Sequence, residues 1–447
     1  MSLFEYANDL DTPVHPMSAL DYMPREQLAA LQLHRLQATV KRVYENVPIT
    51  RRRMDERGVR PEHIKTLKDI RLLPFMMKKD LRDEYPFGLM ASPMNEIIRF
   101  HCSSGTTGKP IVLANTQNDI EVWRNAAMRA MSMFGIRAHD ILQISYGYGL
   151  FTGGLGLHYA GEGIGCAVLP ASGGNTERQL MLMRDLGVTA IACTPSYFLH
   201  LIDEGTRAGF DFRRDTKLKH GIFGAEPWTT AMRDKIEELT GIRAHDIYGL
   251  TEISGPGVAG DCPHRCGLHV FEDHYYPEII DPETLEPLPD GERGELVFTT
   301  LDRTGMPMLR YRTRDLSRII PEPCACGRTI RRIERVNGRS DDMLIVRGVN
   351  VFPSQIETGL LAVDKVLPHY EIVVDRIGNL DILEVKVEVK PEAFGDDIKS
   401  LETLRKTIGA SIQHIININA KVTLVEPNSL PRSEGKIRRV TDLRKKD

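Results

Sequence analysis

Long apolar runs, a basic excess and an even set of cysteines are all missing from this sequence. No segment approaches the ~18 uninterrupted apolar residues of a membrane-spanning helix. The 58 Lys and Arg against 61 Asp and Glu leave a formal net charge of −3. No long run of one sign occurs, so the basic stripe expected of a nucleic-acid binder is absent. Seven cysteines in 447 residues make an odd count in a long chain. That argues against a secreted disulfide framework and for thiols or a metal site in a reducing cytoplasm. The opening "MSLFEYANDLDTPVHP" has early acids and no apolar centre, unlike a signal peptide. There is no internal repeat and no low-complexity tract.

Composition fits a globular chain with a sizeable core, at 41% hydrophobic and 27% charged residues. The length suits two or three domains. Residues 24–46 place leucines and valines at helical spacing. From about 118 to 250, apolar strands alternate with amphipathic helices. "DILQISYGYG" (140–149) opens as a strand, and "GIGCAVLP" (163–170) and "VTAIACTP" (188–195) read as strands. "TERQLMLMRDLG" (176–187), "PSYFLHLIDEGTRAG" (195–209) and "TTAMRDKIEELTG" (229–241) read as helices, the last with a threonine cap. The strand "LKHGIFGAE" precedes it. This alternation predicts an α/β sheet buried on both faces.

The texture turns to β-hairpin near 275, with "PDGE" (289–292) as the turn. Beyond about 341 lies a compact α+β unit: a strand at 343–347, a helix at 354–363, two strands joined around Gly378–Asn379, a helix at 397–415 and the strand "AKVTLVEP". The expected boundaries are therefore 1–340 for a large N-terminal domain and 341–447 for a small C-terminal one.

The stretch "HCSSGTTGKP" (101–110) packs hydroxyls, glycines and one lysine together. It is not a P-loop. Ser103 stands where that motif needs glycine, and Pro110 follows the lysine where it needs a magnesium-holding hydroxyl. Ser103, Ser104, Gly105, Thr106, Thr107, Gly108 and Lys109 can still form an anion nest, although such a stretch alone also reads as a surface turn. Cysteines 102, 166 and 193 lie beside or within strand-like segments and read as small buried apolar residues. The other four cluster in "DCPHRCGLH" (261–269) and "PCACGR" (323–328). Cys262, Cys266, His264, His269, Cys324 and Cys326 thus offer more than the four ligands of a structural zinc.

"YGLTE" (248–252), "YRTRDL" (311–316), "GRSDDMLIVRGVNVFPSQIE" (338–357) and "LPRSEGKIRR" (430–439) follow the hydroxyl-rich stretch in order. Together they resemble the adenylate-forming superfamily of acyl-CoA synthetases, adenylation domains and luciferases. "SYGYGLFTGGLGLHY" (145–159), "FGAEPW" (223–228), "EDHYYPEIIDPET" (272–284) and "RGVNVFPSQIE" narrow this to the phenylacetate–coenzyme A ligase family. The resemblance implies a large N-terminal domain of α/β subdomains with a β-rich subdomain, and a small mobile C-terminal domain. It implies a cytoplasmic, usually dimeric enzyme that activates an aryl carboxylic acid with ATP and Mg²⁺, then transfers it to coenzyme A. Phenylacetate is the first candidate; hydroxyphenylacetate, indoleacetate and benzoates also fit. "HYAGEGIG" (158–165) departs from the family pattern beside the aryl pocket.

The resemblance also implies roles. Ser103–Lys109 would wrap the β- and γ-phosphates, Thr251 would reach the α-phosphate, and Glu252 would hold Mg²⁺. Lys436 would bridge the carboxylate and the α-phosphate. Asp315 would accept the ribose hydroxyls. Tyr248 and Gly249, with Ala225, Glu226, Pro227 and Asp246, would surround adenine, and Arg339 would contact ribose or phosphate. Tyr146, Phe151, Gly224 and Ala225 would shape the aryl pocket. Asp341 would be the hinge and Gly348 would line the CoA channel. Among the six candidate metal ligands, the family pattern selects Cys262, His269, Cys324 and Cys326 for zinc; Cys266 is an extra cysteine that could displace one of them, and His264 could also replace a ligand. Two other readings are an adenylation enzyme that loads a carrier protein, and a zinc-knuckle binding module with an inactive nucleotide site.

Overall fold

The computed structural model describes residues 16–103, 110–150, 152–336, 338–341, 343–347, 349–377, 380–394, 398–431 and 439–444. The chain is mixed α/β and divides into two compact units. One comprises Met1–Cys193, Asp215–Ala225 and Ile242–Arg335; the other comprises Thr194–Arg214, Glu226–Gly241 and Val336–Asp447.

A nine-stranded sheet runs through the first unit. Its parallel half is ordered 167–169, 141–144, 190–193, 220–224 and 243–250; antiparallel strands 255–261, 268–270, 332–333 and 319–320 extend it. Strands such as Ala190–Cys193 and His220–Gly224 are buried at every residue, as expected for parallel strands covered on both faces. A separate three-stranded antiparallel sheet contains Tyr275–Ile280, Gly294–Thr300 and Tyr311–Ser317. This is the β-rich part expected from the "PDGE" turn.

One stretch differs from the sequence reading. Residues 163–164, expected to begin a strand, end the helix Gly153–Ile164; the strand is only Ala167–Leu169. The glycines that hide this helix have a packing reason. A Cβ at Gly156 would lie 2.2 Å from the Trp123 ring, and one at Gly163 would lie 2.6 Å from Met128 Sδ. The helix thus packs almost backbone-first against Gln117–Met133, which trades helix propensity for close approach.

In the second unit, Val366–Ile377 and Leu380–Val389 pair antiparallel, with Lys421–Val425 and Val440–Asp442 added parallel at the two edges. Helices Pro353–Leu361 and Ile398–Ile416 accompany this four-stranded sheet. Its core is mostly aliphatic, including Ile356, Leu360, Ile372, Val385, Ile408 and Ile412, with Tyr370 among them. Thr229 caps the helix Thr230–Thr240 by accepting from Met232 N, as its sequence implies. Among the described residues, no helix is long and apolar enough to cross a membrane.

Candidate active site

The strands on either side of the hydroxyl-rich stretch pair with each other. Ile97–Ser103 pairs antiparallel with Ile111–Thr116, and Ser103 stands opposite Ile111. Residues 104–109, including Lys109, lie outside the described residues. Cys102 N donates to Leu150 O at 2.9 Å, and His101 Nδ1 lies 3.2 Å from the same oxygen. The strand Ile97–Ser103 therefore holds the 145–152 segment, which carries the proposed aryl-pocket residue Tyr146. Tyr146 is 9% exposed and packs on Gly153; Phe151 lies outside the described residues.

Strand Arg243–Leu250 delivers Asp246, Tyr248 and Gly249. Tyr248 donates from its phenol to Asp315 Oδ2 at 2.6 Å, and its ring stacks on Phe298. Asp315 lies in strand Tyr311–Ser317, where its N–H donates to Thr313 Oγ1. Gly249 cannot be another residue, since a Cβ there would lie 1.8 Å from Gly255 O. This tight approach shapes the turn that carries Thr251 and Glu252 between two antiparallel strands. Asp246 is held by Arg335 at 2.6 Å.

Three residues that sequence reasoning did not single out support this turn. Thr152 Oγ1 lies 3.3 Å from Thr251 Oγ1. Lys78 Nζ stands 3.2 Å from the Glu252 carboxylate. Arg303 donates to the carbonyls of Glu252 (3.0 Å) and Ile253 (2.6 Å), and to Asn115 Oδ1 (2.9 Å). It thereby ties the turn to the strand leaving the hydroxyl-rich loop. Burial pulls the Arg303 guanidinium below its ordinary range, partly offset by Asp119. An isolated basic residue in "LDRTG", between apolar strands, was the available signal.

Gly224 ends a buried strand, and Ala225 follows with φ +69°. A left-handed conformation is strained for alanine, and such strain concentrates at functional turns. In the second unit, Glu226 Oε1 accepts from Ser196 N at 2.8 Å, and burial raises the carboxyl above its ordinary range. Pro227 follows it. Arg339 makes a two-toothed bond with Asp341, Nε to Oδ1 at 2.9 Å and Nη2 to Oδ2 at 3.1 Å. Lys436 and Gly348 lie outside the described residues.

Away from this constellation, Cys262, His269, Cys324 and Cys326 converge in the first unit. Their candidate donor atoms all lie within 4.8 Å of one another, and all four residues are buried. His269 Nε2 lies 3.3 Å from Cys326 Sγ, while Nδ1 faces Ile330 O at 3.4 Å. A carbonyl beside one ring nitrogen fixes the tautomer that leaves the other nitrogen for a metal. Cys262 and Cys326 share a hydrogen bond that raises the first thiol and lowers the second; His269 lowers Cys326 further. Tetrahedral zinc takes such a donor set of three sulfurs and one imidazole, so these residues fit that ion.

The chain matches the family model for AMP-binding enzymes over residues 32–301, and that for the AMP-binding enzyme C-terminal domain over residues 348–444. It is 49% identical to the phenylacetate–coenzyme A ligase of Thermus thermophilus, covering 95% of this chain and 99% of that one. It is 49% identical to the Escherichia coli phenylacetate–coenzyme A ligase, covering 94% and 95%. Among solved structures, a 2-hydroxyisobutyryl-CoA ligase in its postadenylation state superposes with a TM-score of 0.91 at 29% identity, covering 98% of this chain and 95% of that one. With the fold, the ordered motifs and these near-full-length matches in agreement, the chain belongs to the phenylacetate–coenzyme A ligase family of AMP-binding enzymes.

Proposed function

We propose that this chain is an AMP-forming acid–CoA ligase whose acid is phenylacetate: ATP, phenylacetate and coenzyme A become phenylacetyl-CoA, AMP and diphosphate. The observation that carries this reading is 49% identity to phenylacetate–coenzyme A ligases along nearly the whole chain.

A carboxylate repels nucleophiles, so it is first joined to AMP as a mixed anhydride. A carboxylate oxygen attacks the α-phosphorus and diphosphate leaves. Charge builds on the phosphoryl oxygens, and preorganised donors aimed there lower the barrier. Ser103–Lys109 wraps the outgoing phosphates, Thr251 reaches the α-phosphate, and Lys436 bridges the attacking carboxylate and the α-phosphate. Asp315 accepts the ribose hydroxyls, oriented by the Tyr248 phenol. Adenine lies against Tyr248 and Gly249, bordered by Ala225, Glu226, Pro227 and Asp246, with Arg339 toward ribose or phosphate. Tyr146, Phe151, Gly224 and Ala225 form the ring pocket. In the second step the CoA sulfur attacks the acyl carbon and AMP leaves. Residues 341–447 act as the small domain that turns about Asp341, and Gly348 lines the thiol channel.

Glu252 is a buried carboxylate with a lysine on one oxygen. A hard cation takes carboxylate and phosphate oxygens, so Glu252 suits Mg²⁺, which supplies charge neutralisation at the departing phosphates when bound. Cys262, His269, Cys324 and Cys326 hold a structural zinc that clamps the 261–269 and 323–328 loops. The enzyme works in the cytoplasm as a homodimer.

The test is a panel of aryl acids scored for AMP release with CoA. Phenylacetate should give the highest kcat/KM; a higher value for a benzoate or indoleacetate would reassign the substrate. Metal analysis should find about one zinc per chain, and none in carefully purified protein would remove the zinc.

A further inference from the structure

A fifth sulfur stands at the edge of the four-residue cluster. Cys266 Sγ lies 3.4 Å from Cys324 Sγ, comparable to the 3.6 Å between Cys262 and Cys324 within the cluster. Of the seven cysteines, Cys266 is the exposed one; Cys262, Cys324 and Cys326 are buried. The local chain puts it there. Arg265 N donates to Cys262 O at 2.9 Å, and Arg265 takes a left-handed φ of +54°. This closes a turn that brings residue 266 back over the cluster. Arg332, opposite His269 in the antiparallel pair, donates from Nη1 to Cys266 Sγ at 2.7 Å. Cys266 is therefore held beside a metal-ligating sulfur while open to solvent, and a four-coordinate zinc leaves it no place as a ligand.

We propose that Cys266 is an oxidation site that opens the zinc cluster: hydrogen peroxide oxidises it, and it then closes a disulfide with Cys324. The inference rests on the zinc reading above. In the first step the Cys266 sulfur attacks one peroxide oxygen and the O–O bond breaks, giving a sulfenic acid and water. In the second, the Cys324 sulfur attacks Cys266 Sγ. The S–O bond breaks, the S–S bond forms, and hydroxide leaves with a proton as a second water. Two sulfurs lose two electrons and peroxide gains them. A disulfide needs the sulfurs ~2.0 Å apart, which a small movement of the exposed turn supplies. Once Cys324 is in the disulfide, three of the four ligands remain and zinc is lost. Reduction by a dithiol restores both thiols.

The experiment uses the full chain purified anaerobically, with zinc per chain measured first. Hydrogen peroxide is then added with a chromogenic zinc chelator, and peptides are mapped without reduction. The expected result is zinc release together with a Cys266–Cys324 cross-linked peptide, both reversed by dithiothreitol and added zinc. Cys266→Ser should release zinc several-fold more slowly and lack that peptide. Equal release from Cys266→Ser, or a map showing only other pairs such as Cys262–Cys324, would overturn the proposal. Zinc absent at the outset would sink the zinc reading separately, and the peptide map would still decide whether Cys266 and Cys324 couple.

Discussion

Tyr248 and Asp315, 67 residues apart in sequence, are joined by a 2.6 Å hydrogen bond from phenol to carboxylate. The bond crosses from the large sheet to the three-stranded sheet, so it fixes where the carboxylate proposed to bind ribose stands relative to the tyrosine proposed to face adenine. An ionised carboxylate can accept from both ribose hydroxyls. Asp315→Asn keeps the shape and removes the charge, and charge-assisted bonds are worth about 1.5–3 kcal/mol. The expected outcome is a roughly 10–100-fold loss in kcat/KM for ATP, with KM for the acid little changed. Wild-type steady-state kinetics in ATP would contradict the assignment.

Lys436→Ala should slow acyl-adenylate formation by about 10²–10³, the usual effect of losing one oriented donor at developing charge. Thioester formation from chemically made phenylacetyl-AMP should continue at a near-normal rate. Equal losses in the two separately assayed half-reactions would assign the lysine another role.

Arg303→Met leaves the Glu252 and Ile253 carbonyls and the Asn115 side chain without their buried donor. Unpaired buried polar groups cost about 1–3 kcal/mol each. A stability loss of about 2–4 kcal/mol by denaturant titration is expected, with a larger fall in activity because the same turn carries Thr251 and Glu252. Unchanged stability would mean the arginine does not hold the turn.

His220 is buried beside His245, with His220 Nδ1 and His245 Nε2 3.3 Å apart. Burial, then the charges of His245, Arg137, Lys219 and Arg243, lower its pKa from 6.5 to about 3. The unfolded chain therefore binds the proton that the folded chain refuses. This contribution is fully present above about pH 6.5 and is lost as pH falls toward 3, on the order of 5 kcal/mol in all. Denaturant midpoints measured from pH 7 to pH 4 should fall more steeply for the wild type than for His220→Gln. Parallel pH profiles would contradict it.

The sequence carried those parts of the fold that obey local rules. The helix Arg25–Asn46, the buried strand Ala190–Cys193 and the helix Thr230–Thr240 follow from periodicity, β-branched content and a threonine cap. It misled where tertiary packing overrode propensity. Gly163 reads as the start of a strand, yet it lies in the last turn of the helix Gly153–Ile164, and it and Gly156 are glycines because Met128 and Trp123 leave no room for a Cβ. The ordered motifs predict one nucleotide site for Tyr248 and Asp315, and the structure adds the bond between them. Lys78, Thr152 and Arg303 were not legible. Each reaches the 251–252 turn from a distant segment, and apart from the lone basic residue in "LDRTG" nothing in the neighbouring sequence records the contact.

The most direct measurement is phenylacetate-dependent exchange of labelled diphosphate into ATP, followed by product analysis after adding CoA. The account expects exchange that requires the acid and needs no CoA, then AMP and phenylacetyl-CoA formed in equal amounts. Exchange no faster than the blank without acid, or ADP as the nucleotide product, would contradict it.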